Sequence, residues 1–108
     1  MPEKKIKEIV KFINTFLEKR KITIKHIILF GSYATKKYTK NSDIDIAIIS
    51  DSFEEKDIFE RVKMLKGLNW SLVEHFILPF DIVPLSLSEW KKSSSLAAQF
   101  IREGKILI

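Results

Sequence analysis

The chain predicts an α/β (α+β) fold, a mixed β-sheet flanked by helices, and three observations lead there. Segments with helical spacing alternate with short β-branched apolar runs. One of those runs, Asp43 to Ile49, begins with acids and then becomes wholly apolar, as a central strand covered on both faces does. At 108 residues and 45% hydrophobic content the chain suffices for one domain with a single core, so residues 1–108 are expected to form one unit.

From Pro2 to Arg20 the residues Ile6, Ile9, Val10, Ile13, Phe16 and Leu17 recur at intervals of three and four, which predicts an amphipathic helix. Ile24 to Phe30 reads as a buried strand stopped by a tight turn at Gly31-Ser32, with a short helix possible after it. The second strand follows from Asp43. Helical spacing resumes from Glu54 to Leu68, with Gly67 as a stop signal. Leu72 to Leu78 and Asp81 to Leu85 read as two further strands separated by Pro79. Ser86 with Glu89 spells a capping box that opens a helix through Ile101. Gly104 ends it, and Lys105 to Ile108 offers a short terminal strand.

The chemistry concentrates between the first two strands. A glycine at a strand end lets the backbone approach a ligand, and the amides beyond it can receive phosphate oxygens, with the Ser32 hydroxyl as a further donor. Gly31 and Ser32 are therefore the candidate phosphate holders. Asp43 and Asp45 are one residue apart, so on a strand they share a face and their carboxylates crowd each other. A divalent cation relieves that repulsion, and hard oxygen ligands favour magnesium or manganese. Asp81 opens another apolar run in the same spelling, Asp-Ile, and could join the pair in a sheet as a third metal-binding acid and as the base that takes a hydroxyl proton.

Composition narrows the classes. The absence of cysteine excludes disulfides, thiolate metal sites and a cysteine nucleophile, and fits a reducing cytoplasm. No apolar run reaches the ~20 residues of a membrane span, and Met1 to Lys5 lacks a signal-peptide core, so a cytoplasmic protein is expected. The net charge of +5 suits an anionic ligand or an acidic partner. Direct nucleic-acid binding is not expected, because three converging carboxylates would repel phosphates. His26 and His75 sit among apolar residues on segments that read as strands, with no acid or second histidine at metal-ligand spacing, and are read as structural. Tyr33 and Tyr38 flank the loop, either stacking on a base or packing; Trp70 and Trp90 cover a sheet edge or a partner surface.

Gly31-Ser32, ten intervening residues and then Asp43-Ile44-Asp45 resembles the signature of the nucleotidyltransferase superfamily, the DNA polymerase beta-like fold. The likeness is closest to the minimal nucleotidyltransferases and spans nearly the whole chain. It implies a nucleoside triphosphate donor, ATP foremost, two magnesium ions, and Asp43, Asp45 and Asp81 as the catalytic acids. It also implies the antitoxin half of a two-gene module, whose partner is a helical HEPN-domain toxin that receives AMP on a tyrosine, in a homo- or hetero-oligomer. Members of the family often carry Arg and Gly after the alanine of the motif, where this chain has Thr35 and Lys36. That departure keeps open a second reading, a module with weak or no catalysis that neutralises a partner by binding. A free-standing antibiotic-modifying transferase would need a substrate domain beyond this one.

Overall fold

The computed structural model describes residues 1–93 and 95–108. Helix α1 spans Glu3–Lys19, β1 His26–Phe30, α2 Ser32–Thr35, β2 Ile44–Ile49, α3 Ile58–Met64, α4 Leu68–Phe76, β3 Phe80–Leu85, α5 Leu87–Lys92, α6 Leu96–Arg102 and β4 Lys105–Ile106. A single turn of 3₁₀ helix, Asp51–Phe53, follows β2. The four strands form one sheet in the order β3-β2-β1-β4. Strand β1 pairs antiparallel with β2 and β4, whereas β2 and β3 run parallel. The mixed sheet flanked by helices is therefore as the sequence predicts.

Alternation along the strands divides the core between the two faces of the sheet. Ile27, Leu29, Ile44, Ile46, Ile48 and Phe80 face Ile9, Ile13 and Leu17 of α1 and Leu68, Leu72 and Phe76 of α4. Ile28, Ala47, Ile49 and Leu85 face Ala98 and Ile101 of α6. Strand β2 is covered on both sides, which explains why its sequence is continuously apolar beyond Asp45.

Several sequence expectations need correction. Leu72 to Leu78 is not a strand: Leu72–Phe76 belongs to α4, because Leu68, Leu72 and Phe76 recur every fourth residue and bury one helical stripe. Short apolar runs do not distinguish the two periods. The helix expected from Glu54 starts at Ile58, where Asp57 accepts a hydrogen bond from the Glu60 amide and Glu60 returns one, and the left-handed Gly67 (φ 90°) separates it from α4. The helix expected through Ile101 is two helices; α5 ends at Ser93 in a left-handed cap, and α6 restarts on the Ser95 side chain. Ser94, within that span, lies outside the described residues. Strand β1 starts two residues late, at His26, and the terminal strand is limited to Lys105–Ile106.

The Ser86 and Glu89 capping box is present, with both reciprocal bonds. Glu89 also meets Arg61 at 2.6 Å, and Arg61 donates to the Lys56 carbonyl, so one guanidinium ties α3 to α5. Burial alone would raise the Glu89 carboxyl, but the Ser86 bonds and Arg61 outweigh it and hold Glu89 below the usual glutamate value of 4.5. A depressed folded value stabilises above the unfolded one and loses that effect as pH falls. Arg61→Met is therefore expected to lose about 1–2 kcal/mol at neutral pH. In urea titrations the gap between the two proteins should close as pH drops below the ordinary glutamate value; a gap that stays constant into acid would rule out the ion pair as its source.

Candidate active site

Two of the acids, Asp45 and Asp81, are paired where β2 and β3 begin. In the parallel ladder Asp45 lies directly opposite Asp81, and in the antiparallel ladder it lies opposite Phe30, the last residue before Gly31. Asp43 stands two residues before Asp45, on the connection just ahead of the strand instead of within it. Strand alternation puts Asp45 and Asp81 on the sheet face that α6 covers further along, at the end where that cover stops. Asp43 and Asp81 are exposed and Asp45 is half-buried.

Gly31 has φ 72° and ψ −152°, a conformation essentially confined to glycine, and it turns the chain from β1 into α2. A methyl group added there would collide with the Asp45 carboxylate. The candidate phosphate turn and the candidate metal acid are thus in contact across the sheet end. Sequence spacing predicts that both belong to one site, but the contact itself joins residues far apart in the chain and is visible only once β1 and β2 pair.

The electrostatics are those of an uncompensated anionic cluster. Partial burial, and then the carboxylates of Asp81 and Asp43, push the Asp45 carboxyl above the ordinary aspartate range. Among the described residues no lysine or arginine forms an ion pair with Asp43, Asp45 or Asp81. Nor, among the described residues, is there a group of three or more acid or histidine side chains placed to hold a metal ion. Magnesium does not require one, since it binds through one or two carboxylates and fills the remaining positions with water and substrate phosphate. An all-oxygen set centred on the Asp45 and Asp81 pair fits that ion.

Around the loop, the Tyr33 and Tyr38 rings stack on each other at 4.4 Å, and Tyr33 packs on the core. His26 has Nδ1 at 3.0 Å from the Ile108 carbonyl and its ring against Trp90, consistent with a structural role. His75 lies on α4, not on a strand, with its ring against Phe12. Thr35 closes α2 by hydrogen bonds from its hydroxyl to the Gly31 and Ser32 carbonyls. Lys36 caps that helix in the left-handed region at φ 62°, a position that favours glycine. Lys36→Gly is expected to stabilise the protein by about 0.5–1 kcal/mol, read as a raised midpoint in urea. A lowered midpoint would mean that the lysine side chain holds the loop.

A glycine turn packed on an acid pair at the end of a mixed sheet is the arrangement the sequence resemblance leads one to expect, and comparison with known proteins shows the family. Residues 4–107 match the nucleotidyltransferase domain family, and the chain belongs to it. A relative from Methanocaldococcus jannaschii, named "Putative protein adenylyltransferase MJ0604", is 55% identical over 105 residues, covering 97% of this chain and 96% of its own. The chain is a nucleotidyltransferase enzyme, similar in sequence to that adenylyltransferase.

Solved structures share the fold. A Sulfolobus solfataricus protein named as a nucleotidyltransferase aligns with a TM-score of 0.57 at 21% identity, covering 94% of this chain and 80% of its own. A second protein so named aligns with a TM-score of 0.58 at 30% identity, covering 92% and 97%. A toxin-antitoxin crystallised with AMP-PNP gives a TM-score of 0.62 at 25% identity, covering 91% and 71%. No helix among the described residues is long and apolar enough to cross a membrane.

Proposed function

We propose that this enzyme moves AMP from ATP to a hydroxyl on a second protein, a tyrosine of a helical HEPN-domain toxin, and thereby acts as a cytoplasmic antitoxin with residues 1–108 as its single catalytic domain. The observation that carries this reading is Asp45 opposite Asp81 on neighbouring parallel strands, with Gly31 against the Asp45 carboxylate. The M. jannaschii relative supports protein as acceptor, and the toxin-antitoxin neighbour with AMP-PNP supports an adenosine donor and a partner chain.

In this reading Gly31 and Ser32 would hold the triphosphate, and Asp43, Asp45 and Asp81 would hold two magnesium ions. Bound magnesium would neutralise the crowded carboxylates and stabilise charge on the α-phosphate. The acceptor oxygen forms a bond to the α-phosphorus while the bond from that phosphorus to the bridging α,β-oxygen breaks, and pyrophosphate leaves. Asp81, exposed at the outer strand, takes the acceptor proton. Asp45, held between Asp81 and the glycine turn, fixes where the phosphate and the acids meet.

A second reading is a binding module without effective catalysis, which neutralises its partner by occlusion. Thr35 and the left-handed Lys36, which depart from the Arg and Gly that the family resemblance leads one to expect, favour it. One experiment separates the two: incubation of the chain, alone and with the partner protein, with α-labelled ATP and magnesium, then mass spectrometry of both. One or more AMP units on the partner, absent with Asp43→Asn or with EDTA, are expected. A stable complex with no transfer from any of the four triphosphates would leave the binding module as the function.

A further inference from the structure

The helical side of the molecule carries a trough that the proposed chemistry does not use. A depression of about 440 Å³ beside α1 and α4 is lined by Phe12, Phe16 and His75. A second, of about 380 Å³, shares Phe12 and His75 with it and reaches Trp70. A third, of about 530 Å³, shares Trp70 and runs past Val62 to Ile82 and Pro84 of β3. Trp70 is 69% exposed and Val62 58%, and Phe59 on the same short helix as Val62 is 77% exposed. A linked run of open aromatic and β-branched side chains marks an interaction surface more often than scattered apolar residues do.

We infer that this trough docks an acidic amphipathic helix of a partner protein. Charge chooses the sign of the occupant: four lysines, Lys11, Lys19, Lys63 and Lys66, line the trough against two glutamates, Glu8 and Glu74. Arg20 adds a fifth cation between the first and third depressions, with its guanidinium over the Phe16 ring at 4.2 Å and a hydrogen bond to the Met64 carbonyl. Architecture chooses the shape. The floor is built from α1 and α4, and a groove over packed helices receives another helix through residues spaced three and four apart. Strand addition at this side is disfavoured, because Pro84 lacks an amide proton and blunts the outer strand β3. A second copy of the chain is disfavoured by the net charge of +5 and the lysine rim, which repel their own image.

The position of the trough gives the docking a purpose. Its last depression ends on Ile82, which follows Asp81 on the outer strand but faces the opposite side of the sheet, so a partner seated there reaches the proposed proton acceptor only by wrapping round the exposed edge of β3. Delivery of an acceptor hydroxyl to Asp81 rests on the transfer reading above; the docking itself does not.

Two synthetic probes test it on the full chain: an amphipathic leucine and glutamate helix of about 20 residues, long enough to be helical alone, and a leucine and lysine helix of equal length. By calorimetry the acidic helix is expected to bind at least about tenfold more tightly than the basic one, and Val62→Ser with Trp70→Ser is expected to weaken it at least about tenfold. Both substituted side chains are exposed, and binding of a fluorescent ATP analogue should be unchanged in the double variant. Equal binding of the two helices, indifference to the substitutions, or a dimer in sedimentation that the substitutions dissolve would each overturn the inference. Failure of the wild type to bind ATP while the acidic helix still binds would count against the transfer reading and leave the docking intact. Undiminished AMP transfer to a protein acceptor by the double variant would do the reverse.

Discussion

Asp45→Asn is expected to abolish nucleotidyl transfer while making the protein, free of metal, more stable. The activity side follows from the position of Asp45, opposite Asp81, with Asp43 two residues before it and the glycine turn against its carboxylate. Asparagine keeps the shape but removes the charge that would hold a divalent ion, worth several kcal/mol of transition-state stabilisation, so the rate should fall at least about 10³-fold. The stability side follows from the raised Asp45 carboxyl, driven by its burial and by Asp81 and Asp43. When a folded group titrates above its unfolded value, its stabilising contribution is present at low pH and lost as pH rises through the folded value. At neutral pH the Asp45 carboxylate therefore opposes folding.

Because Asp45 is only half-buried, solvent screens much of that repulsion, and the gain from Asp45→Asn is put on the order of 0.5 kcal/mol, or about 2–4 °C in Tm. The difference between variant and wild type should shrink as pH falls into the range where Asp45 is protonated. Melting with EDTA across pH, beside transfer assays with magnesium, reads both effects. A variant that melts lower than the wild type at neutral pH would mean that the acids are satisfied by groups other than a metal; a variant with full activity would remove Asp45 from the chemistry.

How far the sequence speaks depends on whether a feature is local. The apolar continuation that marks β2 as central is local and carries straight into the structure, whereas of the two acids in Asp43-Ile44-Asp45 only Asp45 lies within the strand. The Ser86 capping box is local too, and both of its hydrogen bonds form. Leu72 to Leu78 misleads because seven apolar and polar residues fit either period, and the deciding partner, Leu68, lies outside the window. The break near Ser93 between α5 and α6 lies within a polar serine run that a capping argument could also have read as a stop and restart, since Ser95 accepts from the Ala98 amide.

The candidate site divides along the same line. The sequence places Asp81 at a strand start, and only the parallel register puts it opposite Asp45 instead of one strand further away. The trough over α1 and α4 is less legible still. Trp70 and Val62 fit a helical pattern equally well as core or as surface, and their exposure depends on how α3 and α4 turn at Gly67.

Gly31→Ala should damage both folding and catalysis, through two separable causes. The first is backbone strain: φ 72° with ψ −152° is a region that alanine reaches only at a cost of about 1–3 kcal/mol. The second is collision of the new methyl group with the Asp45 carboxylate, which must move aside or push the turn away from the sheet end. Either displacement separates the phosphate turn from the acids, and a shift of about 1 Å between reacting groups is enough for a roughly 10²-fold loss of rate. A cycle with Asp45→Ala separates the causes, because truncating Asp45 removes the obstacle and leaves the strain. Gly31→Ala is then expected to destabilise the Asp45→Ala protein less than the wild type, by about 1 kcal/mol or more. Equal cost in both backgrounds would assign the whole effect to the backbone and leave the contact between turn and acid without energetic weight. With the contact confirmed, Gly31 would be required for a purpose beyond its own torsion angles: it is the one residue type that lets the phosphate turn sit directly against a charged carboxylate.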